Sequence, residues 1–318
     1  MKSKDIKHNL KGNIVPVPAQ FNSDLSLNHS AYREHIKFLI DQGVKNFYLA
    51  QSASEFDYMT REERVAVTKT IAICMNSDCI LIVQALGNTW IDEQIEEGKM
   101  MLDCGADAIV ICPRGIKEGN KFFSSFYSQG AYSPERHDDY FVAYMERVSK
   151  ELKAPIVYHD KPFKNGMGPS IDMLSRIADI ENIVGLKEHV PDPLRLHTIY
   201  RKFGENLACF DGFGKTLQFW SMQWGAQGRH TCWSWFDVES DIRFVDSLQR
   251  GDLSEAADII NAEWPVARAI CNTGFRGYKY IMQLMGLPAG PVRIPGETLS
   301  AEQKIMIENA VKEIGLLT

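Results

Sequence analysis

Residues 80–112 read ILIVQALGNTWIDEQIEEGKMMLDCGADAIVIC. Residues 80–86 form an apolar run, residues 91–104 carry the spacing of an amphipathic helix, and residues 108–112 form a second apolar run. Gly105 falls where the helix should stop, because glycine enters the left-handed conformation of a helix C-cap without strain. Short runs that are apolar at every position, rather than at alternate ones, mark parallel strands buried on both faces. A strand, a helix and a second such strand make one βαβ unit.

The same alternation extends outward in both directions. Further strand runs lie at 13–18, 46–51, 155–159, 183–187, 207–211 and 228–232, with helical patterns at 30–42, 61–75, 138–152, 171–178, 193–203 and 216–224. An eighth helix begins near Asp237. Thr60 and Glu63 form a capping box at the start of 61–75, and Gly43 sits at another C-cap position. Eight β-then-α units predict a closed (β/α)8 TIM barrel. An open doubly wound sheet usually carries a glycine-rich first turn, and residues 16–23 show none. After Gly251 the pattern is helical only, at 254–271, 277–285 and 300–314. Ser300 and Gln303 form another capping box, and residues 286–295 read as a Gly/Pro connector. The expected division is residues 1–235 for the strands and first seven helices, and 236–318 for the last barrel helix plus a C-terminal helical appendage.

The 318 residues are 45% hydrophobic and 24% charged, with a formal net charge of -6. That composition is globular, and it disfavours nucleic-acid binding, which needs a basic surface to neutralise phosphates. The seven cysteines are odd in number, form no CxxC pair, and several sit within apolar runs. They read as buried small hydrophobes of a reducing cytosol, so a cytoplasmic location is expected. Residues 1–11 lack the apolar stretch of a secretory signal, and no apolar run is long enough to span a membrane.

Barrel chemistry collects at the C-terminal ends of the strands. Strand two runs into Gln51-Ser52-Ala53-Ser54-Glu55, strand four into Pro113-Arg114-Gly115, and strand five into His159-Asp160-Lys161-Pro162 followed by Phe163-Lys164. Strand six runs into Lys187-Glu188-His189, and strand eight carries Arg229, His230 and Thr231. Lys187 stands out. A lysine in a strand-lined interior loses hydration as an ammonium, so its pKa falls and the neutral amine can attack a carbonyl. The ordinary alternative is an ion pair with Glu188.

These residues give the chain a resemblance to the dihydrodipicolinate synthase / N-acetylneuraminate lyase family of class I aldolases, from about Gly12 to about Leu316. Its carriers are Gly43-Val44, Glu55 with Met59-Thr60-Arg61-Glu62-Glu63-Arg64, Gly105-Ala106-Asp107-Ala108, Val184-Gly185-Leu186-Lys187-Glu188, and the tail from Gly286-Leu287 through Val292-Arg293-Ile294-Pro295 to Leu299-Ser300-Ala301-Glu302. The resemblance implies that Lys187 forms a Schiff base with pyruvate or another 2-oxo acid. It also implies that the strand-two loop binds the 2-oxo acid carboxylate. Here Ser52 keeps one hydroxyl of that loop and is all that survives of the three-residue relay the resemblance implies, so it is a candidate catalytic residue that orients the carboxylate; Ala53 loses the second hydroxyl, Glu55 keeps the acidic position, and both are candidate substrate contacts.

The departures are as informative. The tyrosine expected at the end of strand five is His159, and Tyr158 beside it points to the other face of the strand. A one-residue bulge would be needed to bring Tyr158 back. The tyrosine that resembling proteins lend across a subunit interface is absent from Pro113-Arg114-Gly115. Lys164 matches a substrate-binding arginine. These changes argue against dihydrodipicolinate synthase itself. His159 is the candidate proton shuttle. Arg114, Lys164 and Arg229 are candidate anion contacts, and His230 is favoured over His189 as a further site residue because it matches a position near the reactive lysine.

The expected activity is a carbon–carbon lyase acting on a 2-oxo acid plus an aldehyde, of sugar-acid type, with no cofactor or metal. The first alternative is a sugar-acid dehydratase using the same iminium. The others are a metal-dependent lyase using His159, His189 and His230 with Glu55 or Asp160, and a non-catalytic 2-oxo acid binder. The expected assembly, by resemblance, is a homotetramer. Residues 114–134, long for a βα loop, suggest a lid or an oligomer contact.

Overall fold

Runs that are apolar throughout become strands with no wet face. The computed structural model describes residues 5–87, 91–113, 134–161, 169–293 and 298–317. Its strands are β1 (Gly12–Pro16), β2 (Asn46–Leu49), β3 (Ile80–Gln84), β4 (Ala108–Ile111), β5 (Ile156–His159), β6 (Ile183–Glu188), β7 (Ala208–Asp211) and β8 (Gly228–His230). They pair in parallel in chain order, and β8 closes on β1. Every residue of β2, β3, β4, β5 and β7 is buried, as expected for strands between a filled interior and a coat of helices.

The helices are α1 (Ile6–Asn9), α2 (His29–Asp41), α3 (Arg61–Cys74), α4 (Ile91–Asp103), α5 (Pro134–Leu152), α6 (Ile171–Ala178), α7 (Pro193–Phe203), α8 (Lys215–Trp224), α9 (Val238–Arg250), α10 (Leu253–Ile270), α11 (Phe275–Leu284) and α12 (Ala301–Glu313). The fold is therefore a TIM barrel with further C-terminal helices. Both capping boxes form. Gly43 and Gly105 take positive φ values of 95° and 106°, the conformation that ends α2 and α4.

Face parity at the strand ends follows from the register. Residues paired across parallel strands share a face. His159 lies opposite Lys187, and Lys187 opposite Phe210; Tyr158 lies opposite Leu186. The pairing slips between Ile156 and Val157, leaving Val184 of β6 unmatched. This irregularity is upstream of Tyr158 and does not bring it inward. Tyr158 is buried near Asp160 and Arg195, in the layer between strands and helices.

The run 59–64 fastens the barrel mouth. Arg64 makes a buried bidentate pair with Glu97 of α4, at 2.8 and 2.7 Å, and Glu97 also accepts from the Gly87 amide at 3.0 Å. Glu63 grips the Arg293 guanidinium with both oxygens, each at 2.6 Å. Glu55 belongs to this fastening, which corrects the expectation that it contacts substrate. One of its oxygens accepts from Lys279 Nζ of α11 at 2.8 Å and the other from the Arg293 amide at 2.7 Å. Its carboxylate is fully buried and directed toward the C-terminal helices.

Breaking such a buried pair from one side strands a charge. Lys279→Met should lower stability by about 3–5 kcal/mol. The double variant Glu55→Gln/Lys279→Met should recover most of that loss. Denaturant midpoints of the four proteins of the cycle check this, and equal losses in the single and double variants would contradict it.

Candidate active site

A cavity of about 500 Å³ opens at the C-terminal end of the barrel, with Lys187, His159, His230 and Gln84 in its lining. Lys187 is 3% exposed, and its Nζ lies 4.7 Å from the centroid of the Tyr48 ring. Among the described residues no carboxylate lies within ion-pair distance of it. The Glu188 pairing considered from the sequence does not form. Glu188 faces the helix layer, accepts from the His189 and Val190 amides at 2.8 and 2.7 Å, and sits 3.4 Å from Arg195 of α7. Arg195 also pairs with Asp160. The residues following His159 and Lys187 are thus tied together behind the strands.

Burial, and then the nearby Lys161 cation, push the Lys187 amine down to about 7 from its ordinary 10.5. Three histidines surround it. His159 Nε2 and His189 Nδ1 are 3.1 Å apart, within hydrogen-bond reach. The His189 ring lies against Gly212, where a Cβ would come within 2.7 Å of its Cε1, so only glycine leaves this space. His230 meets the Tyr48 ring edge-on at 5.5 Å between centroids. Burial first, and the Lys187 charge second, hold all three imidazoles below their ordinary value, His189 at about 3. They are neutral near pH 7. Among the described residues, buried His159 Nδ1 and His230 Nε2 have no hydrogen-bond partner, which marks them as open to a polar ligand.

The β2 loop forms one wall through Gln51, Ser52 and Ala53. Gln84 Oε1 accepts from the Gln51 amide at 3.0 Å and from the Tyr48 hydroxyl at 2.8 Å. Ser54 donates to the Val17 carbonyl at 2.6 Å and accepts from the Ala50 amide at 3.0 Å. The loop is pinned from both sides, and the Ser52 and Ala53 amides make no hydrogen bond among the described residues. Such amides, with the Ser52 hydroxyl, suit a carboxylate.

Arg229 borders the cavity, but its guanidinium is committed elsewhere, which corrects its assignment as an anion contact. It donates to Gln218 at 2.7 Å, to Asn13 at 2.9 Å and to Asp241 at 2.8 Å. The physical reason is parity: His230 faces inward, so Arg229 faces the helices. Arg114, Lys164 and nearly all of the 114–134 segment lie outside the described residues. Sequence reasoning missed the His189 contact with His159 and the parts played by Tyr48, Gln84, Gln51 and Lys161. Tyr48 and Gln84 lie on the inward face of β2 and β3, so parity could have found them; the loop residues carry no comparable signal. Among the described residues no group of three or more His, Cys, Asp or Glu side chains is placed to hold a metal ion.

The Dihydrodipicolinate synthetase family profile matches residues 9–314. The chain belongs to this family. It is a lyase of the aldolase type. A 4-hydroxy-tetrahydrodipicolinate synthase of Methanosphaera stadtmanae is 25% identical over 97% of this chain and 100% of its own length. A probable 2-dehydro-3-deoxy-D-pentonate aldolase of Escherichia coli K12 is 25% identical over 89% of this chain and 90% of its own. The crystal structure of N-acetylneuraminate lyase from Fusobacterium nucleatum superimposes with a TM-score of 0.82 at 21% identity, covering 96% of this chain and 99% of that one. This last likeness speaks for the fold. No helix among the described residues is long and apolar enough to cross a membrane.

The depressed amine gives a direct expectation. With a pKa of about 7, Lys187 is mostly ammonium at pH 6 and mostly free amine at pH 8. Its acylation by a water-soluble anhydride, followed by peptide mass spectrometry, should rise through pH 7, whereas surface lysines respond near 10. A Lys187 profile that follows the surface lysines would contradict this environment.

Proposed function

We propose that the chain cleaves or forms a carbon–carbon bond next to a 2-oxo acid, with Lys187 as the Schiff-base nucleophile. The supporting observation is a buried amine with no carboxylate partner among the described residues, beside His159 at the mouth of the barrel. Neutral Lys187 adds to the C2 ketone, and the carbinolamine hydroxyl takes up one proton and departs as water, leaving an iminium. In the cleavage direction a base takes the proton from the C4 hydroxyl. The C3–C4 bond then breaks, its electron pair moves into the enamine, and an aldehyde departs. Protonation at C3 and hydrolysis return pyruvate and the free amine.

His159 is the proposed base. It is neutral near pH 7, on the strand next to Lys187, and within reach of His189. The pair offers a path for the proton away from the reacting atoms. The Ser52 hydroxyl and the Ser52 and Ala53 amides are the proposed seat of the 2-oxo acid carboxylate. A sugar-acid partner is supported by the open polar atoms of His159 and His230, which suit hydroxyl groups, and by the name of the Escherichia coli relative.

Incubation with pyruvate and borohydride should add a reduced pyruvate to the peptide holding Lys187, and Lys187→Ala should lose it. His159→Asn should keep the trapped adduct while lowering kcat for aldol cleavage about 10²–10⁴-fold. An adduct on another lysine, or unimpaired turnover in Lys187→Ala, would overturn the proposal.

A further inference from the structure

Lys161 stands at the mouth of the same cavity, two residues past the proposed base. Its Nζ donates to Gln51 Oε1 at 2.7 Å. Gln51 in turn donates to both oxygens of Asp57, at 2.9 and 2.8 Å. The negative charge nearest along this chain of contacts is thus one amide away, and among the described residues Lys161 has no ion pair. An ammonium carries three N–H donors, and Gln51 takes one. The other two are available at a cavity wall that also exposes Ser52 and Ala53.

We propose that Lys161 receives the carboxylate of the 2-oxo acid, closing over the Ser52–Ala53 amides from the β5 side, and that this same cation holds Lys187 in its nucleophilic form until substrate arrives. The inference rests on Lys187 being the Schiff-base lysine. Three observations carry it. The β2 loop has alanine at position 53, so it supplies one hydroxyl to an anion, and a lysine supplies a full charge in compensation. Lys161 touches the residue preceding Ser52. The Gln51 amide and the Tyr48 hydroxyl share Gln84 Oε1, and Tyr48 lies beneath Lys187, so the two lysines border one connected wall.

The electrostatics agree. The groups that bear on Lys187 are Tyr48 from β2, Cys112 after β4, His159 and Lys161 at and after β5, His189 after β6, and His230 and Cys232 at and after β8, with Asp211 acting from the other face of β7. After burial, Lys161 is the largest influence on the Lys187 amine, and it favours the neutral form. A carboxylate docked on Lys161 cancels that repulsion. The positive charge that develops when the amine adds to C2 and water leaves is then opposed less than the ammonium of the empty site. The free enzyme thus keeps a nucleophile, and the bound enzyme tolerates an iminium.

The test compares full-length wild type, Lys161→Met and Lys161→Arg by borohydride trapping of pyruvate at Lys187, read by peptide mass across pH and pyruvate concentration. For Lys161→Met the pyruvate concentration giving half-maximal trapping should rise about tenfold or more. Its pH midpoint should move up by about one unit, because removing a like charge restores basicity. Lys161→Arg, which keeps the charge, should restore most of both and shows that loss of folding is not the cause. A Lys161→Met profile matching wild type in either quantity would overturn the proposal while leaving Lys187 as the nucleophile. Absence of trapping at Lys187 in wild type would overturn both.

Discussion

The account depends on a buried amine with no carboxylate in ion-pair reach among the described residues. Period-two alternation at the end of β6 puts Lys187 inside the barrel and sends Glu188 to the helix layer. The Tyr48 ring lies under the amine and three neutral histidines surround it. A fall from 10.5 to about 7 corresponds to roughly 5 kcal/mol in favour of the neutral form relative to a lysine in water. In the proposed mechanism that preference is the activation of the nucleophile. It comes from burial and from a like charge, without a general base bonded to the nitrogen.

The charges excluded from the interior are gathered on the other side of the strands. Asp160, Glu188 and Arg195 form one buried group behind β5 and β6. Asp241 takes hydrogen bonds from Arg229, Thr231 and Ser234 and pairs with Lys215, whose other partner is Glu263. These cations hold the Asp241 carboxyl far below its ordinary range despite its burial. Glu55 with Lys279 and Arg293 ties the β2 loop to the C-terminal helices. Each group fixes a backbone segment adjoining the cavity, and rigid support of that kind keeps reacting side chains in register. An uncharged interior and an ion-paired exterior are two results of the same alternation.

Much of this was legible in the sequence because the strands are apolar on both faces and the helices carry explicit caps. Lys187 stood out as a lysine closing an apolar run, the resemblance put His159 at the end of strand five, and strand parity turned Tyr158 outward. Arg229 was misassigned because parity was not carried from β5 to β8, where an inward His230 forces its neighbour out. Glu55 was beyond that rule: it sits in a loop with left-handed backbone, at φ 53°, and its partners Lys279 and Arg293 are more than 200 positions away. His189 and Lys161 lie past the last strand residues, where tertiary contacts alone decide direction. The space left by Gly212 orients one and the Gln51 amide the other.

The most direct test is a crystal structure of the enzyme soaked with pyruvate. The account predicts continuous density from Lys187 Nζ to C2 of the bound molecule, with its carboxylate against the Ser52 and Ala53 amides. Pyruvate seated elsewhere, or held near an ammonium of Lys187 in a simple ion pair with no covalent link, would contradict it.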